Sequence, residues 1–169
     1  IGVNTYINND QYNSSITALG NDKFVVTWES NGQDGSSNGI YLQIFSSDGT
    51  KIEKEFLVNA NISSPQESSS ITPLGNDKFV VTWSSSGEEE GNSLYGQIFN
   101  NNGTKIGNNF LVKTNTDDSQ NNSSITALGS DKFVVTWTSL EDEDGNGSEI
   151  YGQIFSSDGT KIEKEFLVN

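Results

Sequence analysis

The stretch Ser15-Ile16-Thr17-Ala18-Leu19-Gly20-Asn21-Asp22-Lys23-Phe24-Val25-Val26-Thr27-Trp28 returns almost letter for letter at Ser70–Trp83 and again at Ser124–Trp137. Its tryptophan recurs at positions 28, 83 and 137. A period of this size marks a repeat architecture, in which one supersecondary unit cannot bury its apolar surface alone and stacks on its copies.

Within one unit the residues predict four short strands. The first is Ser15 to Leu19. The second is Lys23 to Glu29, reached through a tight Gly20-Asn21-Asp22 connection. A polar loop, Ser30 to Gly39, leads to the third, Ile40 to Phe45, and Ser47-Asp48-Gly49-Thr50 leads to the fourth, Ile52 to Asn59. Asp48-Gly49, Asn102-Gly103 and Asp158-Gly159 read as type I′ hairpin turns. No helical period appears, so the chain is expected to be all-β, each unit a four-stranded antiparallel meander.

The strand faces say how the units pack. Phe24, Val26 and Trp28 point one way, Val25 and Thr27 the other; Ile40, Leu42 and Ile44 share a face, Tyr41, Gln43 and Phe45 its opposite. Both faces are largely apolar, whereas a half-exposed sheet alternates apolar with polar. Each sheet therefore expects cover on both sides, which suits the blades of a β-propeller. Three repeats also fit a three-fold β-trefoil or β-prism. The repeats fall at 1–59, 60–113 and 114–169. Residues 1–5 align with Phe56–Ala60 and read as a spare fourth strand, which points to an array whose members join head to tail.

The pattern SIT-x-LG-(N/S)-DKFVVTW … (I/L)Y-x-QIF-x-x-(D/N)GTKI … FLV resembles tandem repeats of very large bacterial and ciliate surface or secreted proteins, and Asp34 to Tyr41 matches their loop closely. The blades also look like those of sialidase-type propellers, with Ser47-Asp48-Gly49-Thr50 a shortened form of the turn box found there. The resemblance implies an extracellular or cell-surface structural or adhesive protein.

Composition narrows the partners. The formal charge is −14, and all nine basic residues are Lys. Nucleic acid and anionic membranes are unfavourable partners for such a surface. There is no Cys, hence no disulfide or thiolate chemistry. With no Met, the chain is expected to be a piece of something longer. The absence of His, Cys and Arg removes the commonest acid–base group, the thiol nucleophile and a guanidinium clamp. The expectation is therefore that the chain is not an enzyme.

Three sets of candidate residues follow. The loops before Tyr41, Tyr95 and Tyr151 alternate oxygen-bearing side chains with Gly, as a hard cation requires. Asp34, Asn38, Glu88, Glu90, Asn92, Asp142, Asp144 and Asn146 are thus candidate Ca2+ ligands, although Ile150 and Gln153 stand where closing ligands belong. A solvated turn that uses Gly for positive φ explains the same residues. Trp28, Trp83 and Trp137 offer a sugar-stacking platform per unit, or core packing. Asn13, Asn61, Asn102, Asn121, Asn122 and Asn146 head Asn-x-Ser/Thr sequons, glycan acceptors in a secreted eukaryotic chain. The leading expectation is a structural, adhesive repeat module that self-associates or joins neighbouring repeats head to tail. The alternative is a lectin-like module with one site per repeat.

Overall fold

The computed structural model describes residues 2–88, 91–113, 119–140 and 147–169, with backbone only at 87, 88 and 91. Twelve strands form three separate four-stranded antiparallel sheets. Blade 1 holds β1 (Gln11–Gly20), β2 (Lys23–Asn31), β3 (Asn38–Ser46) and β4 (Lys51–Leu57). Blade 2 holds β5 (Gln66–Leu74), β6 (Lys78–Glu88), β7 (Gly91–Asn100) and β8 (Lys105–Leu111). Blade 3 holds β9 (Gln120–Leu128), β10 (Lys132–Ser139), β11 (Glu149–Ser156) and β12 (Lys161–Leu167). In each sheet the strands lie in chain order, the meander expected from the repeat.

The sheets stack face to face with one polarity. We call the side bearing Phe24, Val26 and Trp28 the tryptophan face, and the opposite side the valine face. Val25, Leu42 and Ile44 of the first valine face pack against Phe79, Val81 and Trp83 of the next blade. Val80, Leu94 and Ile98 pack in the same sense against Phe133, Val135 and Trp137. Val58 and Val112, just past β4 and β8, plug the two seams at 1% and 0% exposure. Because β1 meets β5 and β5 meets β9, the first strands share the inner edge of the stack. This is propeller-blade packing, and it replaces the trefoil and prism alternatives.

Two local expectations are corrected. Type I′ geometry needs positive φ at both central residues. It occurs at Asn21-Asp22 (48° and 55°) and Asn76-Asp77 (60° and 55°), not at the Asp-Gly pairs. At Ser46–Thr50 the Gly49 amide donates to the Ser46 carbonyl at 2.9 Å and Gly49 alone is left-handed, at 83°. That is a type I turn closed by a glycine bulge. The Asp48 carboxylate favours it by accepting from the Thr50 amide at 2.9 Å and from the Ser46 hydroxyl. The repeat at Asp158, whose pKa is lowered to about 2 chiefly by its bond to Ser156, makes the same turn.

Second, residues 2–10 form no strand. A fourth strand needs the third strand of its own blade, and β3 is already paired with β4. The segment lies across the tryptophan face of blade 1 instead. Val3 lines a cavity there with Val26 and Trp28.

Each β4-type strand carries a bulge at Glu53, Gly107 or Glu163, all left-handed. A buried glutamine fastens it. Gln43 Nε2 donates to the carbonyls of Ile44, Ile52 and Glu53 at 2.9, 3.0 and 3.2 Å, and Gln97 and Gln153 repeat the arrangement. Gln153 is therefore part of a staple of the fold.

Candidate functional site

The three tryptophans are buried, at 3%, 1% and 1% exposure. Each stacks on the cross-strand tyrosine, with ring centroids 6.4, 6.2 and 6.3 Å apart for Trp28–Tyr41, Trp83–Tyr95 and Trp137–Tyr151. A sugar ring laid on an indole needs an open face, and burial withholds it. The tryptophans support the wall of the blade, and the sugar platform drawn from sequence is corrected to that role.

What opens to solvent beside Trp83 is a concavity of about 280 Å3. It is lined by Asn59, Asn61, Gln66, Ser85, Tyr95 and Asn109 along with the indole edge. Gln66 organises it. Its Oε1 accepts from Trp83 Nε1 at 2.8 Å, and its Nε2 donates to Ser85 Oγ and the Ser64 carbonyl at 2.9 Å each. Asn59 Oδ1 accepts the Ile40 amide at 2.8 Å, while its Nδ2 donates to the Asn61 carbonyl at 2.7 Å. In blade 1 a cavity of about 270 Å3 also borders the equivalent Asn4, Gln11 and Trp28, but the rest of its wall, Val3, Tyr12 and Val26 among it, lies on the tryptophan face.

Among the described residues the candidate cation ligands do not converge. Asp34 Oδ1 caps its own turn by accepting the Ser36 amide at 3.0 Å. Asn38 donates to Tyr12 Oη at 2.5 Å and Glu67 Oε1 at 3.3 Å, and Asn92 donates to Asn121 Oδ1 at 2.8 Å. Both asparagines thus bridge to the inner strand of the next blade or their own. Among the described residues no three acidic or histidine side chains group to hold a metal. Glu90, Asp142, Asp144 and Asn146 lie outside the described residues, as does the side chain of Glu88. Among the sequons, Asn61 and Asn102 sit exposed on turns, and Asn13 and Asn122 are left-handed residues at bulges of the inner strands. Asn121 is half-buried, and Asn146 lies outside the description.

One residue escaped the sequence reading. Glu29 occupies the position held by Ser84 and Thr138 in the other blades, and it is 1% exposed. Its Oε1 accepts from the Ser68 amide at 2.7 Å and from Asn13 Nδ2 at 2.9 Å; its Oε2 has no partner. Burial, the main cause, raises its pKa, and the Glu67 carboxylate adds to the rise. The left-handed Ser68, which turns its amide toward Glu29, belongs to the next blade, so nothing local in the sequence announces the site. A folded-state pKa above the ordinary value means that protonation favours the folded protein, so this contribution is complete below pH 4.5 and lost as pH rises through the raised value. Glu29→Gln is expected to be more stable than the wild type at pH 7, by about 1 kcal/mol. Paired urea melts at pH 4 and pH 7 measure this, and an equal gap at both would contradict it.

No family model matches the chain, and no curated protein matches it. The structure is similar to that of an endo-arabinase from Bacteroides thetaiotaomicron, with a TM-score of 0.62 at 12% identity. The likeness covers 95% of this chain and 63% of that one. At such identity it shows the fold alone. It also corrects the expectation that the chain is not an enzyme. The same blade architecture belongs to an enzyme, so a repeated scaffold is no argument against catalysis.

Proposed function

We propose that the chain is a carbohydrate-binding module of propeller blades, an adhesive repeat working outside the cell. The observation that carries this is the concavity beside Trp83. Sugars present vicinal hydroxyls that take and give hydrogen bonds together. Carboxamides supply both a donor and an acceptor on one planar group. Asn61 and Asn109 bring carboxamides to the space, Asn59 and Gln66 build its wall from beneath, and Tyr95 adds a half-buried ring against which sugar C–H groups can rest. The resemblance to surface-protein repeats, and a fold that an endo-arabinase also uses, support this reading. The strongly negative surface favours neutral glycans over anionic ones.

The test is titration calorimetry against a panel of neutral polysaccharides, arabinan among them. Asn109→Ala is expected to weaken binding about tenfold, the scale of one lost hydrogen bond, with the melting temperature unchanged. Absence of heat across the panel would reject the proposal.

A further inference from the structure

A short link enters each blade ahead of its first strand, at residues 4–6 in blade 1 and 59–61 in blade 2. The two links are fixed alike. The leading asparagine donates to the carbonyl two residues on, Asn4 Nδ2 to Tyr6 and Asn59 Nδ2 to Asn61. A lysine of the fourth strand holds each link as well. Lys51 Nζ donates to the Asn4 carbonyl at 3.3 Å, and Lys105 Nζ to the Val58 carbonyl at 2.7 Å.

The blades part at one position of the fourth strand, Glu55 in β4 and Asn109 in β8. Glu55 Oε2 accepts the Thr5 amide at 2.5 Å, and its Oε1 accepts the Tyr6 amide at 3.3 Å. Gln33 Nε2, from the loop between β2 and β3, donates to the same Oε1 at 2.8 Å. One carboxylate thus gathers link and loop beside Tyr41. That ring is 7% exposed, and its phenol is pushed up to about 12, by burial first and then by Asp34, Glu55 and Tyr6. The cavity in blade 1 borders neither Tyr41 nor Glu55. In blade 2 the Asn109 side chain makes no bond to its link among the described residues. It lines an open concavity together with the half-buried Tyr95.

We propose that residue 109 decides whether the sugar site is open: asparagine there leaves Tyr95 to the ligand, whereas glutamate latches the link over the ring, so that of these two blades only blade 2 binds. The inference rests on the carbohydrate-binding reading above. An ionised carboxylate only accepts, and its two oxygens can take two amides at once. Such charge-assisted bonds are about twice as strong as neutral ones. A carboxamide one methylene shorter offers a single acceptor, and Asn109 shows that this length does not reach the link.

Calorimetry against the same polysaccharide panel, paired with melting curves of the free protein, tests this. In Asn109→Glu a ligand must break two carboxylate bonds, to the amides of Ala60 and Asn61, before it reaches Tyr95. Each is worth about tenfold or more, so binding is expected to weaken by about a hundredfold. The latch also ties down the free protein, and the melting temperature is expected to rise by about 3 °C. Asn109→Asp adds the same charge at the length of asparagine. It is expected to bind no more weakly than Asn109→Ala and to melt with the wild type. In Glu55→Asn the link of blade 1 is released, and one further binding event per chain is expected.

Equal losses in Asn109→Asp and Asn109→Glu would overturn the proposal, because charge alone would then explain them. So would an Asn109→Glu variant that binds like the wild type, or an unchanged stoichiometry in Glu55→Asn. A wild type that binds no glycan rejects the carbohydrate reading instead. The latch is then decided by the melts alone, and an Asn109→Glu variant that melts with Asn109→Asp would remove it.

Discussion

Trp83→Ala is expected to be the most destabilising of the three tryptophan truncations. Removing a buried Trp costs about 3–5 kcal/mol through lost transfer energy and the cavity left behind. At position 83 two further losses apply. Gln66 Oε1, itself buried, loses its donor, which adds about 1–3 kcal/mol. Tyr95 loses its stacking partner in a seam packed from both sides. Since a domain of this size is stable by only about 5–15 kcal/mol, this substitution approaches global unfolding. Trp28→Ala is expected near the lower end of the cavity range. Its indole already borders an open cavity, and its N–H has no bond to lose. Urea midpoints of the two variants decide the matter. Equal shifts would mean that the seam polarity described above has no energetic counterpart.

Gly96→Leu is the second substitution with a large effect, and blade 1 makes it instructive. That blade naturally has Leu42 at the equivalent position, fully buried. There the cross-strand ring, Phe56, packs on Phe99 with centroids 5.9 Å apart, a looser fit than the 5.3 Å between Phe110 and Phe155 at the same repeat positions. In blade 2 the partner Phe110 lies over the glycine. A Cβ on Gly96 would come within 2.5 Å of its ring. Phe110 has no room to retreat, being wedged against Phe133 and Phe155. Overpacking of this kind costs about 3 kcal/mol. Gly152 meets Phe166 at the same 2.5 Å, but that ring is exposed on the outer face and is free to swing out. Gly152→Leu is therefore expected to cost about 1 kcal/mol. Thermal melts of the two variants test the contrast. A reversed order would show that the rings, not their surroundings, set the cost.

Much of this fold was legible in the repeat. The four strands, the order of the meander and the two apolar faces follow from period-two patterning in Phe24–Trp28 and Ile40–Phe45, because a strand buried on both sides has few other compositions. The turn at Asp48-Gly49 was not. The same dipeptide serves two turn types, and the bonds that Asp48 accepts from Ser46 and Thr50 decide between them. The role of the tryptophans was ambiguous because an aromatic reads alike in a core and on a platform until its neighbours are placed. Glu29 was invisible for a different reason. It sits among strand formers like any exposed acid, and only the amide of Ser68, brought from another blade, reveals that it is buried. The concavity beside Trp83 likewise joins Asn59 and Asn61 to Asn109, residues that no single motif links.

The one-way stacking of faces has a consequence for the order in which the chain comes apart. Each sheet touches only its neighbours, so cohesion resides in nearest-neighbour terms and opening proceeds inward from an end. Blade 3 has one sealed face and one bare one, while blade 2 is sealed on both. Amide hydrogens of β10 and β11 therefore exchange through fraying of a single seam, whereas those of β6 and β7 must wait until a neighbouring blade has left. Two nearly identical sequences, blades 2 and 3, thus acquire different protection levels, set by position in the stack alone.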